Sequence, residues 1–352
     1  MIYLDNAATV PMLPSVLKSM HEAEKKLYAN ASALHTPGHL ARNKIEECRE
    51  LLAKLINCSP DEIIFTSGAS ESNNTVIRTF EGHKIVASPM EHHSILEAAK
   101  IYRGDKLPIL YSFMLANNEI GDLLSLPEKG EDFLHSDLTQ VLGKIPIDVK
   151  ALDLDYATFS AHKIGGPIGV GALYVRNGAP FKPLIIGGNQ EKKRRGGTYN
   201  TIGIIGFLQA LKNIVDNDTP SIYATKVLKL RNKLAERIIA EIPGSSLNTD
   251  LNNSLPNILN VSFEGAEGES IQLYLDAEGV IVSTGSACAA GDAKPSHVLM
   301  AKSGDAEVAH SSIRFSFGLD NDSEDIDYVM GVLPGIIRRL QGISTISRRD
   351  SF

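Results

Sequence analysis

A chain of 352 residues in which 43% are hydrophobic can bury a large core and has length for about two domains. Its 42 acidic and 35 basic side chains give a formal net charge of −7, and the basic residues are scattered, which argues against nucleic acid as a main ligand. The one basic run, Lys192-Lys193-Arg194-Arg195, reads as a solvated loop with no polyanion partner.

The opening Met1-Ile2-Tyr3-Leu4-Asp5 lacks a basic segment followed by an apolar stretch, and no later segment approaches the apolar length that spans a bilayer. A cytoplasmic protein with no membrane contact is expected. Strand-like runs then alternate with helical periods. Glu62-Ile63-Ile64-Phe65 precedes a helix from about Glu71, and Lys84-Ile85-Val86-Ala87-Ser88 precedes one over about 94–102. That alternation predicts an α/β domain with a mostly parallel sheet flanked by helices. Further strands are predicted over 107–115, 155–160 and 171–175, and the pattern turns helical from Tyr199 through Leu211. Residues 213–220 are polar and helix-breaking, which puts a domain boundary nearby. A long amphipathic helix over about 222–242, strands over 258–263, 280–283 and 312–317, and a closing helix over 323–340 predict a smaller α+β domain. No internal repeat or low-complexity segment is present.

Lys163 lies between the strand-like Ala157-Thr158-Phe159-Ser160 and the turn Gly165-Gly166-Pro167. Small and apolar surroundings desolvate a lysine, which favours the neutral amine and a Schiff-base nucleophile; a surface lysine closing a strand is the ordinary alternative. Phe65-Thr66-Ser67-Gly68-Ala69-Ser70-Glu71-Ser72-Asn73-Asn74 follows a strand and opens a helix, so its N–H groups and hydroxyls form a cradle suited to a phosphate. Simple N-capping by Ser67 or Ser70 is the alternative. The run is no P-loop, since no Gly-Lys-Ser/Thr follows, and Gly169-Val170-Gly171 is discounted as a dinucleotide turn because a strand follows it.

Asp137 stands at the predicted end of a strand, where it can hold a protonated ring nitrogen or merely cap the next turn. His92 also follows a strand directly and can stack on a planar cofactor and move protons. Metal binding by His92 and His93 is disfavoured, because adjacent residues point apart and no third ligand is suitably spaced. Cys48, Cys58 and Cys288 are odd in number without CxxC spacing, so neither a disulfide framework nor a zinc site is expected. Cys288 lies among small residues in Ser283-Thr284-Gly285-Ser286-Ala287-Cys288-Ala289-Ala290-Gly291 and becomes nucleophilic if local positive charge lowers its pKa from about 8.5. Cys48 and Cys58 read as inert, buried thiols. Arg314, in Ser312-Ile313-Arg314-Phe315-Ser316, offers a bidentate fork for a carboxylate, with a structural ion pair as the alternative.

Together these segments resemble the cysteine desulfurases of the NifS/IscS type, within the aminotransferase class V group of fold-type I pyridoxal-phosphate enzymes. The resemblance runs from Tyr3-Leu4-Asp5-Asn6-Ala7-Ala8-Thr9 through Asn117-Asn118-Glu119-Ile120-Gly121, Ser160-Ala161-His162-Lys163 and Arg195-Gly196-Gly197-Thr198 to His310-Ser311-Ser312-Ile313-Arg314-Phe315-Ser316. It implies a large cofactor-binding domain over 13–217 and a smaller one over 1–12 and 218–352 that carries the catalytic cysteine loop. It further implies that Lys163 holds pyridoxal 5'-phosphate covalently, Asp137 pairs with the ring nitrogen, His92 stacks on the ring, and Asn118 and Gln140 hydrogen-bond around the ring oxygen. The phosphate is expected on Ala69, Ser70, Ser160 and His162, with Thr198 reaching in from the other subunit of a homodimer. Arg314 is expected to take the carboxylate of L-cysteine, and Cys288 its sulfur. The spacing from Cys288 to Pro295-Ser296-His297 resembles the group with the longer catalytic loop, which favours sulfur delivery to a separate acceptor, an iron-sulfur scaffold or a tRNA-thiolation enzyme. A selenocysteine lyase, an aminotransferase or a non-catalytic homologue are the alternatives.

The chain departs from the family pattern where 103–116 and 121–135 are shortened, so a peripheral strand-helix piece is expected to be missing. Leu138 and Asn189 replace a small residue and a glycine, and the extension after the last helix is short.

Overall fold

The computed structural model describes residues 1–284 and 295–343. It divides into two compact units: one comprises 9–115 and 124–220, the other 1–8, 116–123 and the chain from 221 onward. The first strand, β1 (Ile2–Tyr3), belongs to the smaller unit.

The larger unit is built on six strands, β2 (Ile63–Thr66), β3 (His83–Ala87), β4 (Lys106–Ser112), β5 (Phe133–Asp137), β6 (Tyr156–Ser160) and β7 (Gly171–Val175), in the order β2-β7-β6-β5-β4-β3. The strands from β3 to β6 pair in parallel and β7 runs antiparallel to both its neighbours, so β2 points the same way as β6. The sheet is mostly parallel, as expected, with one reversed strand. Every residue of β2, β6 and β7 is buried, which is why these segments read as near-continuous apolar runs instead of alternating ones.

Five helices, α1 (Pro14–Lys26), α2 (Thr36–Ile56), α3 (Ala69–Thr79), α4 (His93–Tyr102) and α5 (Thr201–Asp216), belong to this unit. One core forms where Val76 and Ile77 of α3, Phe80 at its C-cap and Ile95 of α4 meet Ile64, Leu110, Tyr156 and Leu173 of the sheet. The Phe80 ring stands edge-on to Tyr156 at 5.8 Å, a favoured aromatic geometry. Helix α2 buries Ala41, Ile45, Cys48, Leu52 and Ile56, a stripe at helical spacing, and ends on Asn57 at φ 59.

No helix lies between β4 and β5. The chain crosses instead through a short antiparallel bridge, Ala116 to Leu123, that belongs to the smaller unit. This departs from the expected continuous span of 13–217, and the cause is hydrogen bonding. Leu123 N–H donates to Asn253 O at 2.9 Å, Leu255 N–H to Gly121 O at 2.8 Å, and Thr249 Oγ1 to Ile120 O at 2.7 Å.

In the smaller unit, β8 (Ser245–Leu247), β9 (Ile258–Phe263), β11 (Ser283–Thr284) and β12 (Ser312–Ser316) form an antiparallel sheet of order β11-β12-β9-β8, while β1 pairs in parallel with β10 (Val280–Ile281). Its core joins Leu234 and Ile238 of the helix Leu228–Glu241, Leu259, Val261 and Phe315 of the sheet, and Leu333 and Ile337 of the closing helix Ser323–Ile343. The long helix predicted over 222–242 is entered through a widened turn, Tyr223–Val227, and the strand predicted over 280–283 is divided at Val282. Among the described residues no helix is long and apolar enough to cross a membrane.

Candidate active site

Because β2 to β6 point the same way, their C-terminal ends share one edge of the large sheet, the place where open α/β sheets hold ligands. Along that edge lie Ala69 and Ser70 after β2, His92 after β3, Asp137 and Gln140 at the end of β5, and Ser160, His162 and Lys163 at the end of β6.

Strand β6 passes directly into a tight turn, Ala161–Ile164, closed by Gly165 at φ +74. A Cβ on Gly165 would lie 2.6 Å from Leu13 Cγ, so both backbone and packing require glycine there. This turn holds Lys163 half-buried. The preceding His162 has Nδ1 3.1 Å from Thr9 Oγ1. Burial pushes its imidazole down to about 4, and the positive charges of Lys163 and Lys144 act in the same direction. Lys144 is buried, its Nζ donates to Gln140 O at 3.0 Å, and burial together with the charge of Lys163 pushes it down to about 7. Its neighbour Gly143 packs against Ile164: a Cβ on Gly143 would meet Ile164 Cγ2 at 3.3 Å.

Asp137 is buried with both carboxylate oxygens engaged. Asn73 Nδ2 donates to Oδ2 at 2.8 Å, and the Thr139 N–H donates to Oδ1 at 2.9 Å. Asn73 Nδ2 also donates to Ser94 Oγ at 2.9 Å, and Ser94 Oγ lies 2.8 Å from His92 Nδ1. A continuous polar chain therefore joins His92 to Asp137. His92 is the N-cap of α4, its Nδ1 accepting the Ser94 N–H at 3.1 Å, which leaves an exposed ring in a fixed orientation. Beneath Asp137, His135 is wholly buried between Ser112 Oγ at 2.9 Å and Thr158 Oγ1 at 3.1 Å. Burial pushes it down to about 4 against the opposing charge of Asp137. Glu91, also wholly buried, is raised well above the carboxylate range by burial, with the charge of Asp137 adding; the Met114 N–H donates to its Oε1.

The turn after β2 supplies the candidate phosphate cradle. Neither Ser67 nor Ser70 caps α3: the N-cap is Gly68, with no side-chain cap, so the N–H groups at the helix start are not covered by a capping hydroxyl. Ser160 faces this turn, since a Cβ on Gly68 would lie 3.9 Å from Ser160 Oγ. A Cβ on Gly171 would lie 2.7 Å from Gly68 Cα, so the start of β7 must also be glycine for the turn to close over it. A loop that includes Gln190, Glu191, Arg195, Gly197, Tyr199 and Asn200 borders a cleft with Phe65, Thr66 and Ser67, and Thr198 is exposed on that loop.

Asn118 and Arg314 belong to the smaller unit. Arg314 is 3% exposed in β12. Its Nη2 pairs with Asp5 Oδ1 at 2.7 Å and its Nη1 donates to Asn118 O at 2.9 Å, while its buried Nε has no hydrogen-bond partner among the described residues. The structural pair is thus present, and the two bonds to Asp5 and Asn118 leave other N–H donors of the guanidinium, Nε among them. Cys288 lies outside the described residues. The other cysteines are as read: Cys48 is fully buried on α2 with its thiol pushed far up by burial, and burial pushes Cys58 up to about 12.

Asn73, Ser94, His135 and Lys144 were not singled out from the sequence. Asn73 alone carries a usable signal there, as a buried polar residue on the apolar side of α3 beside Val76 and Ile77.

A family model for aminotransferase class-V matches residues 2–111 and 105–329. The chain belongs to this family. It is 40% identical to the "Cysteine desulfurase IscS" of Dictyoglomus turgidum, with 97% of this chain and 96% of that protein covered. Among solved structures it is similar to a NifS-like protein from Rickettsia africae, at TM-score 0.86 and 31% identity over 96% of this chain and 99% of the other. It is also similar to a structure described as SspA in complex with cysteine, at TM-score 0.76 and 30% identity over 90% of this chain and 99% of that one. The fold is that of the fold-type I transferases, an α/β large unit with a smaller α+β unit.

Proposed function

We propose that this chain is a pyridoxal-phosphate-dependent cysteine desulfurase, a homodimer of the cytoplasm that converts L-cysteine to L-alanine and carries the sulfur on Cys288 as a persulfide. The observation that carries the reading is Lys163 on the same sheet edge as a buried Asp137 whose two oxygens are fixed by N–H donors. The cofactor fits the residues present. Thr139 Oγ1 and Asn73 Oδ1, both beside Asp137, are buried without hydrogen-bond partners among the described residues, so the edge has polar capacity that a bound group can satisfy.

When bound, the cofactor supplies the electron sink for bond cleavage on the amino acid. The chain's own residues bind, orient and move protons. Lys163 would hold the cofactor covalently, and its amine would move a proton of the substrate. Asp137 would pair with the ring nitrogen, His92 would stack on the ring, and Asn118 and Gln140 would hydrogen-bond around the ring oxygen. Ala69, Ser70, Ser160 and His162 would hold the phosphate, joined by the partner subunit's Thr198. His162, neutral near pH 7, donates or accepts without adding charge. Arg314 receives the substrate carboxylate through the guanidinium N–H groups that Asp5 and Asn118 do not use. The Cys288 thiolate attacks the sulfur of L-cysteine, the carbon-sulfur bond breaks, the carbon takes a proton to give alanine, and the persulfide passes to an iron-sulfur scaffold or a thiolation enzyme.

Wild-type protein given one equivalent of L-cysteine should gain one sulfur on the peptide containing Cys288, read by mass spectrometry. Cys288→Ser should lose alanine and sulfide production while keeping a borohydride-reducible cofactor adduct, which Lys163→Ala should lack. Sulfur mapping to Cys48 or Cys58, substantial desulfuration by Cys288→Ser, or a reducible adduct in Lys163→Ala would overturn this reading.

A further inference from the structure

Glu71 is an unexpected neighbour for a phosphate. It is the third residue of α3, its side chain is 7% exposed, and its Oε2 accepts the Ser67 N–H at 2.8 Å. The carboxylate and a bound phosphate would therefore compete for one helix N-terminus and repel each other there. Burial works to raise the Glu71 carboxyl, but hydrogen bonds from Arg195 and Ser67 outweigh it and hold the group below its ordinary value, in its anionic form. Arg195 grips both oxygens, Nε to Oε1 at 3.0 Å and Nη2 to Oε2 at 3.3 Å.

The segment that brings Arg195 to Glu71 is itself held under strain. Glu191, Lys192 and Lys193 have φ of 47, 55 and 67, a left-handed run that L-residues adopt only under constraint. The constraint is Glu191, 3% exposed, whose carboxylate accepts from Arg49 Nη1 and Nη2 at 2.8 Å each and from the Phe65 N–H at 3.2 Å. Arg194 Nη2 adds a bond to Ile63 O at 3.2 Å. The segment is thus pinned to β2, the strand that leads into the cradle, and Arg195 follows two residues after the strained run.

We propose that Arg195 is a positioning residue for the cofactor phosphate: by pairing with Glu71 it cancels the carboxylate at the start of α3, so that this helix end can take a second anion. The inference rests on the phosphate placement proposed above. The test is the affinity of the cofactor-stripped full-length protein for pyridoxal phosphate and for pyridoxal, which lacks the phosphate, measured by fluorescence titration. Arg195→Met should weaken pyridoxal phosphate binding about tenfold or more and leave pyridoxal binding unchanged. Adding Glu71→Gln to Arg195→Met should restore affinity, since no carboxylate then needs cancelling. Wild-type affinity in Arg195→Met, a double variant as weak as Arg195→Met, or equal loss for both ligands would overturn the inference while leaving the cofactor site standing. Wild-type protein that binds pyridoxal as tightly as its phosphate would instead overturn the phosphate placement, and the inference with it.

Discussion

Replacing Lys144 with methionine should stabilise the protein by an amount that depends on pH. The side chain is 1% exposed, and among the described residues its amine has one acceptor, Gln140 O at 3.0 Å. Burial and the charge of Lys163 bring its pKa from 10.5 to about 7. Between those values the unfolded chain holds more protons than the folded one, so stability rises with pH across that window. Below about pH 7 both states are protonated and the whole cost of burying the ammonium is present. The difference between 10.5 and about 7, at roughly 1.36 kcal/mol per pH unit, makes that cost about 4–5 kcal/mol, falling to about 2 kcal/mol near pH 9. Methionine removes the charge and leaves the Gln140 carbonyl without its donor, a loss of about 1–3 kcal/mol. The net gain should therefore be about 1–4 kcal/mol near pH 6 and close to zero near pH 9. Denaturant midpoints of both proteins, stripped of cofactor and compared across that pH range, provide the measurement. A difference that is constant with pH, or that grows as pH rises, would refute the reasoning.

Two further outcomes follow from the site. Asp137→Ala leaves the Asn73 and Thr139 donors without their acceptor and a ring cation without its partner; a buried pair broken from one side costs about 3–5 kcal/mol, so cofactor retention on dialysis should fall by roughly two to three orders of magnitude, and normal retention would remove the assignment. Arg314→Lys keeps the charge but loses the planar fork and its bonds to Asp5 and Asn118, so the KM for L-cysteine should rise while the cofactor absorption band is unchanged; an unchanged KM would mean that the guanidinium serves only its structural partners, Asp5 and Asn118.

What was legible in the sequence was what local chemistry decides. Ile63-Ile64-Phe65, Gly171–Val175 and Ile258–Phe263 are buried apolar runs bounded by polar or glycine residues, and all three are strands. The residues of the sheet edge were found because each stands next to such a run. The reversal of β7 was invisible, since an apolar run carries no direction. The segment 116–123 could not be assigned to the smaller unit, because its partners, Thr249, Asn253 and Leu255, lie more than a hundred residues onward. Helix α1 escaped for another reason: of its 13 residues only Val16 and Ala23 are buried, too sparse a stripe to show a helical period. Asn73 and Ser94 acquire their role only where α3 and α4 meet, bridging His92 to Asp137.

The ionisable groups beside Asp137 are driven toward their neutral forms near pH 7: His135 is pushed down to about 4 and Glu91 is raised well above the carboxylate range, and Lys144, bonded to Gln140 O, falls to about 7 in the same way. Burial does this in each case, so one physical effect neutralises an imidazole, a carboxyl and, in part, an ammonium. A buried neutral Glu91 does not repel a second carboxylate, and a neutral His135 offers it no competing counter-ion. Asp137, with both oxygens accepting N–H bonds, is then the group beneath the sheet edge left to answer a cation presented from above. On the proposed reading, Asp137 serves as a counter-charge because burial has neutralised His135 and Glu91, and substitutions that rehydrate Glu91 or His135 should weaken it without touching Asp137 itself.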